Sequence, residues 1–205
     1  MEFLKKGIVA IGLITSFQTI AQENKSLPAA FSKSYALEAK GQYDDAILAI
    51  KDVYIDGSYT MNLRLGWLNY LQNKYELSIA YYQKARIGMP ASLEPLWGIL
   101  NPLIASEKWT EVDKVYLAIL KLDPKNSTAN YKLGLNYYYR KNYSKAKKYF
   151  DLALNAYPFD YSFLIMSAWN NYFLGNTSEA KALFFKVLLI DQNDKSAIEG
   201  LSLIK

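Results

Sequence analysis

The chain has neither a cysteine nor a histidine among its 205 residues. Without cysteine it cannot form disulfides, a thiol nucleophile or a lipid anchor on a modified cysteine. Without histidine it lacks the residues of a histidine-based catalytic triad and of the usual zinc site. Serine–lysine and carboxylate-pair chemistry stay open on composition alone, but no glycine-rich phosphate loop and no converging set of such groups is evident. We therefore expect no enzymatic activity, no metal site and no cofactor.

A strong excess of one charge is also missing, since 24 basic and 19 acidic side chains give a formal net charge of +5. Proteins that bind nucleic acid concentrate positive charge on one face, so this mild excess predicts no nucleic acid partner. The densest basic cluster runs from Arg140 to Lys148 and comprises Arg140, Lys141, Lys145, Lys147 and Lys148. Such a cluster would attract an anionic lipid, a glycan or an acidic partner. The alternative is a solvated surface that keeps the protein soluble.

Long hydrophobic runs are absent except near the N-terminus, where an apolar stretch covers residues 7–17. Lys5 and Lys6 precede this stretch and small residues lie just before Gln22, which is the pattern of a secretory signal peptide. The run is much shorter than the ~20 residues needed to span a bilayer. We predict a signal peptide over residues 1–21 and a polar linker over 22–26, with an uncleaved membrane anchor as the alternative. The mature chain, without a transmembrane segment, is then expected to be periplasmic or secreted in a Gram-negative bacterium.

A pattern of 34 residues repeats along the rest of the chain and is clearest over residues 127–160. Apolar residues three or four apart predict two amphipathic helices there, separated by the polar segment 140–142 and ended by Pro158. Gly134 is small where two helix backbones must approach closely, and Phe150 fills the space beside it. One helical hairpin cannot bury both its faces, so its neighbours must supply the missing surface. The predicted start of the second helix recurs every 34 residues, at Tyr75, Trp109, Tyr143 and Thr177.

Eight positions within residues 127–160 have the residue types and spacing of a known helical repeat. They are Leu133, Gly134, Tyr137, Tyr143, Ala146, Phe150, Ala153 and Pro158. The chain therefore resembles the tetratricopeptide repeat (TPR) family, which implies an all-α, right-handed superhelical solenoid of helical hairpins. The resemblance implies five repeats, over residues 27–58, 59–92, 93–126, 127–160 and 161–194. A C-terminal capping helix over residues 195–205 follows, with Ile198 and Leu201 on one face.

In TPR proteins the first helices of successive repeats line a concave groove, and the resemblance implies the same here. The equivalent positions of the five repeats are rich in aromatic residues. The predicted partner-binding residues are Phe31, Tyr35, Trp67, Tyr70, Trp97, Asn101, Tyr131, Tyr138, Trp169 and Tyr172. Rings at these positions offer large contact areas to an extended ligand. The alternative is that they only pack against neighbouring helices.

The third repeat departs most from the pattern. Larger residues stand at three of its small packing positions, namely Leu100, Val112 and Ile119, so we expect its helices to lie further apart. Trp109 takes the place of a core tyrosine. Pro102 lies within the first helix and cannot donate to the carbonyl of Gly98, which would then open towards the groove. The alternative is a tolerated kink that Gly98 itself relieves.

These features together predict a noncatalytic protein–protein interaction adaptor of the bacterial envelope. The expected ligand is an extended apolar, aromatic or proline-rich segment of another protein. Two alternatives remain open from the sequence. One is a glycan-binding module, in which the rings stack on sugars, and the other is a structural subunit of an envelope assembly.

Overall fold

A computed structural model describes residues 27–204, which form eleven α-helices and no β-strand. In chain order these are α1 (residues 27–38), α2 (Tyr43–Lys51), α3 (Tyr59–Leu71), α4 (Tyr75–Gly88), α5 (Glu94–Ala105), α6 (Trp109–Leu122), α7 (Ser127–Tyr139), α8 (Tyr143–Ala156), α9 (Tyr161–Phe173), α10 (Thr177–Ile190) and α11 (Lys195–Leu203). The expected all-α fold is confirmed. The predicted signal peptide and linker lie outside the described residues, as does Lys205.

The chain divides into two compact units, Met1–Pro102 and Leu103–Lys205. The border falls inside α5, at the proline of the divergent third repeat. In the first unit, α2 packs on α3 and α3 on α4. In the second, α7 pairs with α8 and α9 with α10, and α11 packs on both α9 and α10. No helix between residues 27 and 204 combines the length and hydrophobicity needed to cross a bilayer.

Each hairpin turns through a residue in the left-handed backbone region. These residues are Gly41, Asn73, Glu107, Lys141 and Gly175, with φ between 56° and 77°. Four of the second helices then begin at Tyr75, Trp109, Tyr143 and Thr177, as the 34-residue period predicts. The first helices of the later repeats are capped by side chains at the same interval, because Asn126, Asp160 and Asp194 each accept a backbone N–H three residues on. Turn geometry and capping thus repeat together with the hydrophobic pattern.

In both units, an aromatic side chain on the second helix of a repeat packs against a glycine of a first helix. Phe150 occupies the space that a Cβ on Gly134 would need, with ring atom Cδ1 only 2.7 Å from that position. Tyr82 lies in the same way against both Gly66 of α3 and Gly98 of α5. The absence of a side chain at Gly98 therefore makes room for the Tyr82 ring. Close packing is thus a demonstrated role for this glycine, whereas the sequence had suggested a part in the proline kink.

The C-terminal helix covers the end of the second unit. Its Ala197 is fully buried in a cluster with Leu164 and Phe184, and Gly200 admits the Phe184 ring. Leu201 also packs on this cluster, but Ile198 is 49% exposed. The prediction that Ile198 and Leu201 share the packed face is therefore wrong for Ile198. Buried residues 197 and 200 and partly buried residue 201 form the packed stripe, with the three- and four-residue spacing of one helix face.

Trp109 does not take a core position either. It is the first residue of α6 and its side chain is 46% exposed. The equivalent residue of the next repeat, Tyr143, stacks on Phe173 with ring centroids 4.9 Å apart. The larger indole of Trp109 lies at the start of its helix and stays exposed to solvent. Trp109 and Tyr143 therefore occupy equivalent positions of their repeats but do not make equivalent packing contacts.

Candidate functional site

A groove of about 1070 Å³ lies within the first unit. The first helices α1, α3 and α5 supply most of its lining, and α2 and α4 add one tyrosine each. Its aromatic residues are Phe31, Tyr35, Tyr43, Tyr59, Trp67, Tyr82 and Trp97. The volume is slightly above the range of about 300–1,000 Å³ that is usual for small-molecule pockets. The groove is therefore the candidate functional site of this unit.

Half of the predicted partner-binding residues line this groove. They are Phe31, Tyr35, Trp67, Trp97 and Asn101. Tyr70 is not part of the lining, and its ring instead contacts those of Trp67 and Tyr75, with centroids 5.6 and 6.3 Å apart. The groove also contains residues that the sequence analysis missed, above all Tyr59, Tyr82 and Glu94.

The helical period could have found two of the missed residues. Tyr59 precedes Trp67 by eight positions and Glu94 precedes Asn101 by seven, which places each pair on one helix face. Extending the predicted face by one turn towards each N-terminus would therefore have included both. Tyr82 carried no such signal, because it belongs to a second helix and reaches the groove only through the gap beside Gly66 and Gly98.

One polar cluster of the groove is centred on Glu38. Its carboxylate pairs with Nη1 of Arg64 and accepts a hydrogen bond of 2.6 Å from Nε1 of Trp67. Nε of Arg64 donates to Oγ of buried Ser34 at 3.0 Å, and its Cζ lies 3.9 Å from the centroid of the Tyr35 ring. The guanidinium is almost fully buried, so this pair holds α1 to α3 and fixes the Trp67 indole. Charge within this cluster is balanced.

A second polar cluster joins α3 to α5. The hydroxyl of Tyr59 donates to Oε2 of Glu94 at 2.7 Å and lies 2.8 Å from Oγ of Ser92. Burial, followed by the hydrogen bond and charge of Glu94, raises the pKa of Tyr59. Burial also raises the pKa of Tyr82 well above its usual range, with a further contribution from the negative charge of Glu94. The field of this carboxylate therefore reaches the tyrosine of α4.

The remaining predicted residues lie in the second unit and make many contacts within it. Tyr131 packs on Phe163 at 4.8 Å between centroids, and Tyr172 meets Trp169 edge-on. Tyr138 contacts four rings, those of Tyr139, Tyr143, Phe150 and Phe173, and burial raises its pKa to about 12. The Trp169 ring packs on Phe184 at 5.2 Å, and its Nε1 donates to Oγ of Ser196 at 2.8 Å. These rings brace neighbouring helices, which is the packing role considered above.

The basic cluster of residues 140–148 is partly neutralised. Arg140 pairs with Asp113 at 2.6 Å, while Lys147 reaches both Asp151 and Glu179 at 3.2 and 2.8 Å. Two of its five cations thus have carboxylate partners, which weakens the attraction for an anionic ligand. Among the residues from 27 to 204, no group of three or more acidic side chains is arranged to hold a metal ion.

An all-helical array of hairpins with a 34-residue period defines a helical repeat protein. The TPR sequence profile matches this chain over residues 31–92 and again over 127–160, the latter with the bounds of the predicted fourth repeat. The chain is therefore a tetratricopeptide repeat protein. Among curated proteins, no sequence matches it at a significant level.

Solved structures with a similar fold include other TPR proteins. One from Parabacteroides merdae ATCC 43184 superposes with a TM-score of 0.69 and 22% identity, covering 86% of this chain and 71% of that one. MamA from Desulfovibrio magneticus RS-1, from its position 41 onward, superposes with a TM-score of 0.65 and 15% identity, covering 83% of this chain and 97% of that one. YrrB, a TPR protein with an unusual peptide-binding site, superposes with a TM-score of 0.66 and 13% identity, covering 91% of this chain and 98% of that one. Identities this low establish the fold alone. TPR domains are generally noncatalytic interaction modules, so the fold implies a protein partner.

Proposed function

We propose that this protein is a noncatalytic adaptor of the bacterial envelope that binds an extended segment of another protein. The groove of the first unit is the observation that carries the proposal, because seven aromatic residues line one continuous cavity of about 1070 Å³. Aromatic side chains give large contact areas at low entropic cost and dominate binding hot spots. Asn101 adds an amide that can donate to and accept from a peptide backbone. An apolar, aromatic or proline-rich segment suits this lining best.

The envelope location rests on the sequence of the first 26 residues. A charged start, a short apolar run and small residues before Gln22 form the pattern of an exported protein. An adaptor in this compartment would hold the extended segment of another envelope protein in its groove.

The peptide-binding proposal can be tested with a displayed library of random dodecapeptides and purified protein comprising residues 22–205. We expect enrichment of aromatic and proline-rich sequences, and the best of them, made synthetically, should be measured by isothermal titration calorimetry. Removing a central ring with Trp97→Ala should weaken this peptide roughly 30-fold, the effect of a ~2 kcal/mol hot spot. Trp109→Ala, which removes the exposed tryptophan outside the groove, is the matched control and should leave affinity unchanged.

Two results would overturn the proposal. One is a library that yields no sequence above the background of the bare support. The other is a peptide whose affinity falls equally with Trp97→Ala and Trp109→Ala. Retention of labelled oligosaccharides in place of peptides would favour a glycan-binding module.

A further inference from the structure

The two carboxylates that line the groove have different surroundings. Glu38 accepts hydrogen bonds from both Arg64 and Trp67, so its charge is balanced. Glu94 accepts one side-chain hydrogen bond, from Tyr59, and no lysine or arginine between residues 27 and 204 forms an ion pair with it. Because Arg64 is the only basic residue of the lining, the groove has one uncompensated negative charge.

The aromatic residues near this charge favour a cation. Tyr59 holds the Glu94 carboxylate through its hydroxyl, and Trp97 follows Glu94 by three positions on the same face of α5. All three residues line the groove. A cation over an aromatic face is attracted by the ring quadrupole, and a carboxylate beside the ring adds a direct ionic contact. A ligand carboxylate, by contrast, would be repelled by Glu94.

We propose that the bound segment of the partner protein presents a lysine or arginine side chain to Glu94, with Tyr59 and Trp97 as its aromatic neighbours. The inference rests on the proposed peptide-binding function and specifies the chemistry of its ligand. Apolar or proline residues on either side of the basic residue occupy the rest of the aromatic lining. Charge therefore sets the register of the segment, and the rings supply the contact area.

Glu94 also has a structural role that the test must separate from binding. It is the first residue of α5, where a negative charge interacts favourably with the helix dipole. Glu94→Gln keeps an oxygen that can accept from Tyr59 but removes the charge. A change in stability alone therefore says nothing about the ligand, and the decisive measurement is the coupling between this residue and a charge on the peptide.

The experiment compares two selections from the same dodecapeptide library, one with the wild-type protein and one with Glu94→Gln. The wild-type selection should enrich lysine or arginine at one position next to aromatic or proline residues, and the variant selection should show a clearly weaker enrichment of these basic residues. The best wild-type peptide is then synthesised with lysine or with norleucine at that position, which keeps the aliphatic chain and removes the charge. We expect norleucine to bind the wild-type protein about three- to thirtyfold more weakly than lysine, and this difference to be clearly smaller in Glu94→Gln, where the aromatic rings remain but the carboxylate charge is gone.

Glu199→Gln is the matched control, since it removes the same charge from the exposed face of α11. It should leave the preference for lysine intact. The inference is overturned if norleucine binds the wild-type protein as well as lysine does, or if the preference for lysine is as large in Glu94→Gln as in the wild-type protein. If peptides bind through Trp97 without any preference for charge, the proposed function stands and only this inference fails. If no peptide binds at all, both fail.

Discussion

The contact between Gly98 and Tyr82 makes a quantitative prediction about how the first unit is held together. A methyl group added at Gly98 would lie 2.6 Å from ring atoms Cδ1 and Cζ of Tyr82 and closer still to Cε1. The ring must therefore withdraw by more than about 0.9 Å to restore a carbon–carbon separation of 3.5 Å. Overpacking of this kind costs about 1–3 kcal/mol, whereas alanine gains about 1 kcal/mol over glycine in helix propensity. We therefore expect Gly98→Ala to lower the free energy of unfolding by up to about 2 kcal/mol.

A second substitution separates the two effects. Tyr82→Val removes the δ, ε and ζ ring atoms that the new methyl group would meet. In this background Gly98→Ala should become stabilising by about 1 kcal/mol, because only the propensity gain remains. All four proteins should be unfolded in urea and followed by far-ultraviolet circular dichroism, with m-values compared, since repeat arrays can depart from two-state unfolding. If Gly98→Ala costs the same in both backgrounds, the steric account of this glycine is wrong.

Four further predictions can be measured directly. Arg64→Met should cost roughly 3 kcal/mol in denaturant melts because it leaves Glu38 unpaired, and adding Glu38→Gln should recover most of the loss; no recovery would contradict the pairing. Burial raises the pKa of Tyr138 to about 12 in the folded protein, so this tyrosine ionises at a lower pH in the unfolded chain. Stability should therefore be intact below pH ~10 and fall as pH approaches 12. Tyr138→Phe should show a smaller fall in the same melts. Pro102→Ala should raise the melting temperature and increase the free energy of unfolding by at most ~3 kcal/mol, because an internal proline disrupts its helix. The same substitution should weaken peptide binding. Unchanged binding would mean that the proline is only tolerated. Mass spectrometry of envelope protein should find a mature N-terminus within about two residues of Gln22, and a retained first methionine on membrane-bound protein would refute export.

Local sequence determined the helices of this protein. The 3.6-residue period and the 34-residue repeat place hydrophobic, small and capping residues where each helix begins, turns and ends, and these requirements are met by neighbours within a few positions. Tyr143 and Thr177 accordingly start helices as predicted. The pairing of Gly134 with Phe150 was also readable, because both residues belong to one repeat and a helix contact needs one small and one large partner.

The tertiary structure decided which aromatic and charged residues are available to a ligand. Trp67 and Trp169 occupy equivalent positions of their repeats, yet Trp67 lines a groove while Trp169 packs on Phe184 and donates to Ser196. The difference comes from partners on other helices, Phe184 on α10 and Ser196 on α11, and no period within one helix encodes their side chains. Charge follows the same rule, since Lys147 of the basic cluster pairs with Glu179 of α10 as well as with Asp151 of its own helix. Glu94 is the converse, because the helical period could have placed it on the groove face, but only the three-dimensional arrangement shows that no lysine or arginine between residues 27 and 204 pairs with it.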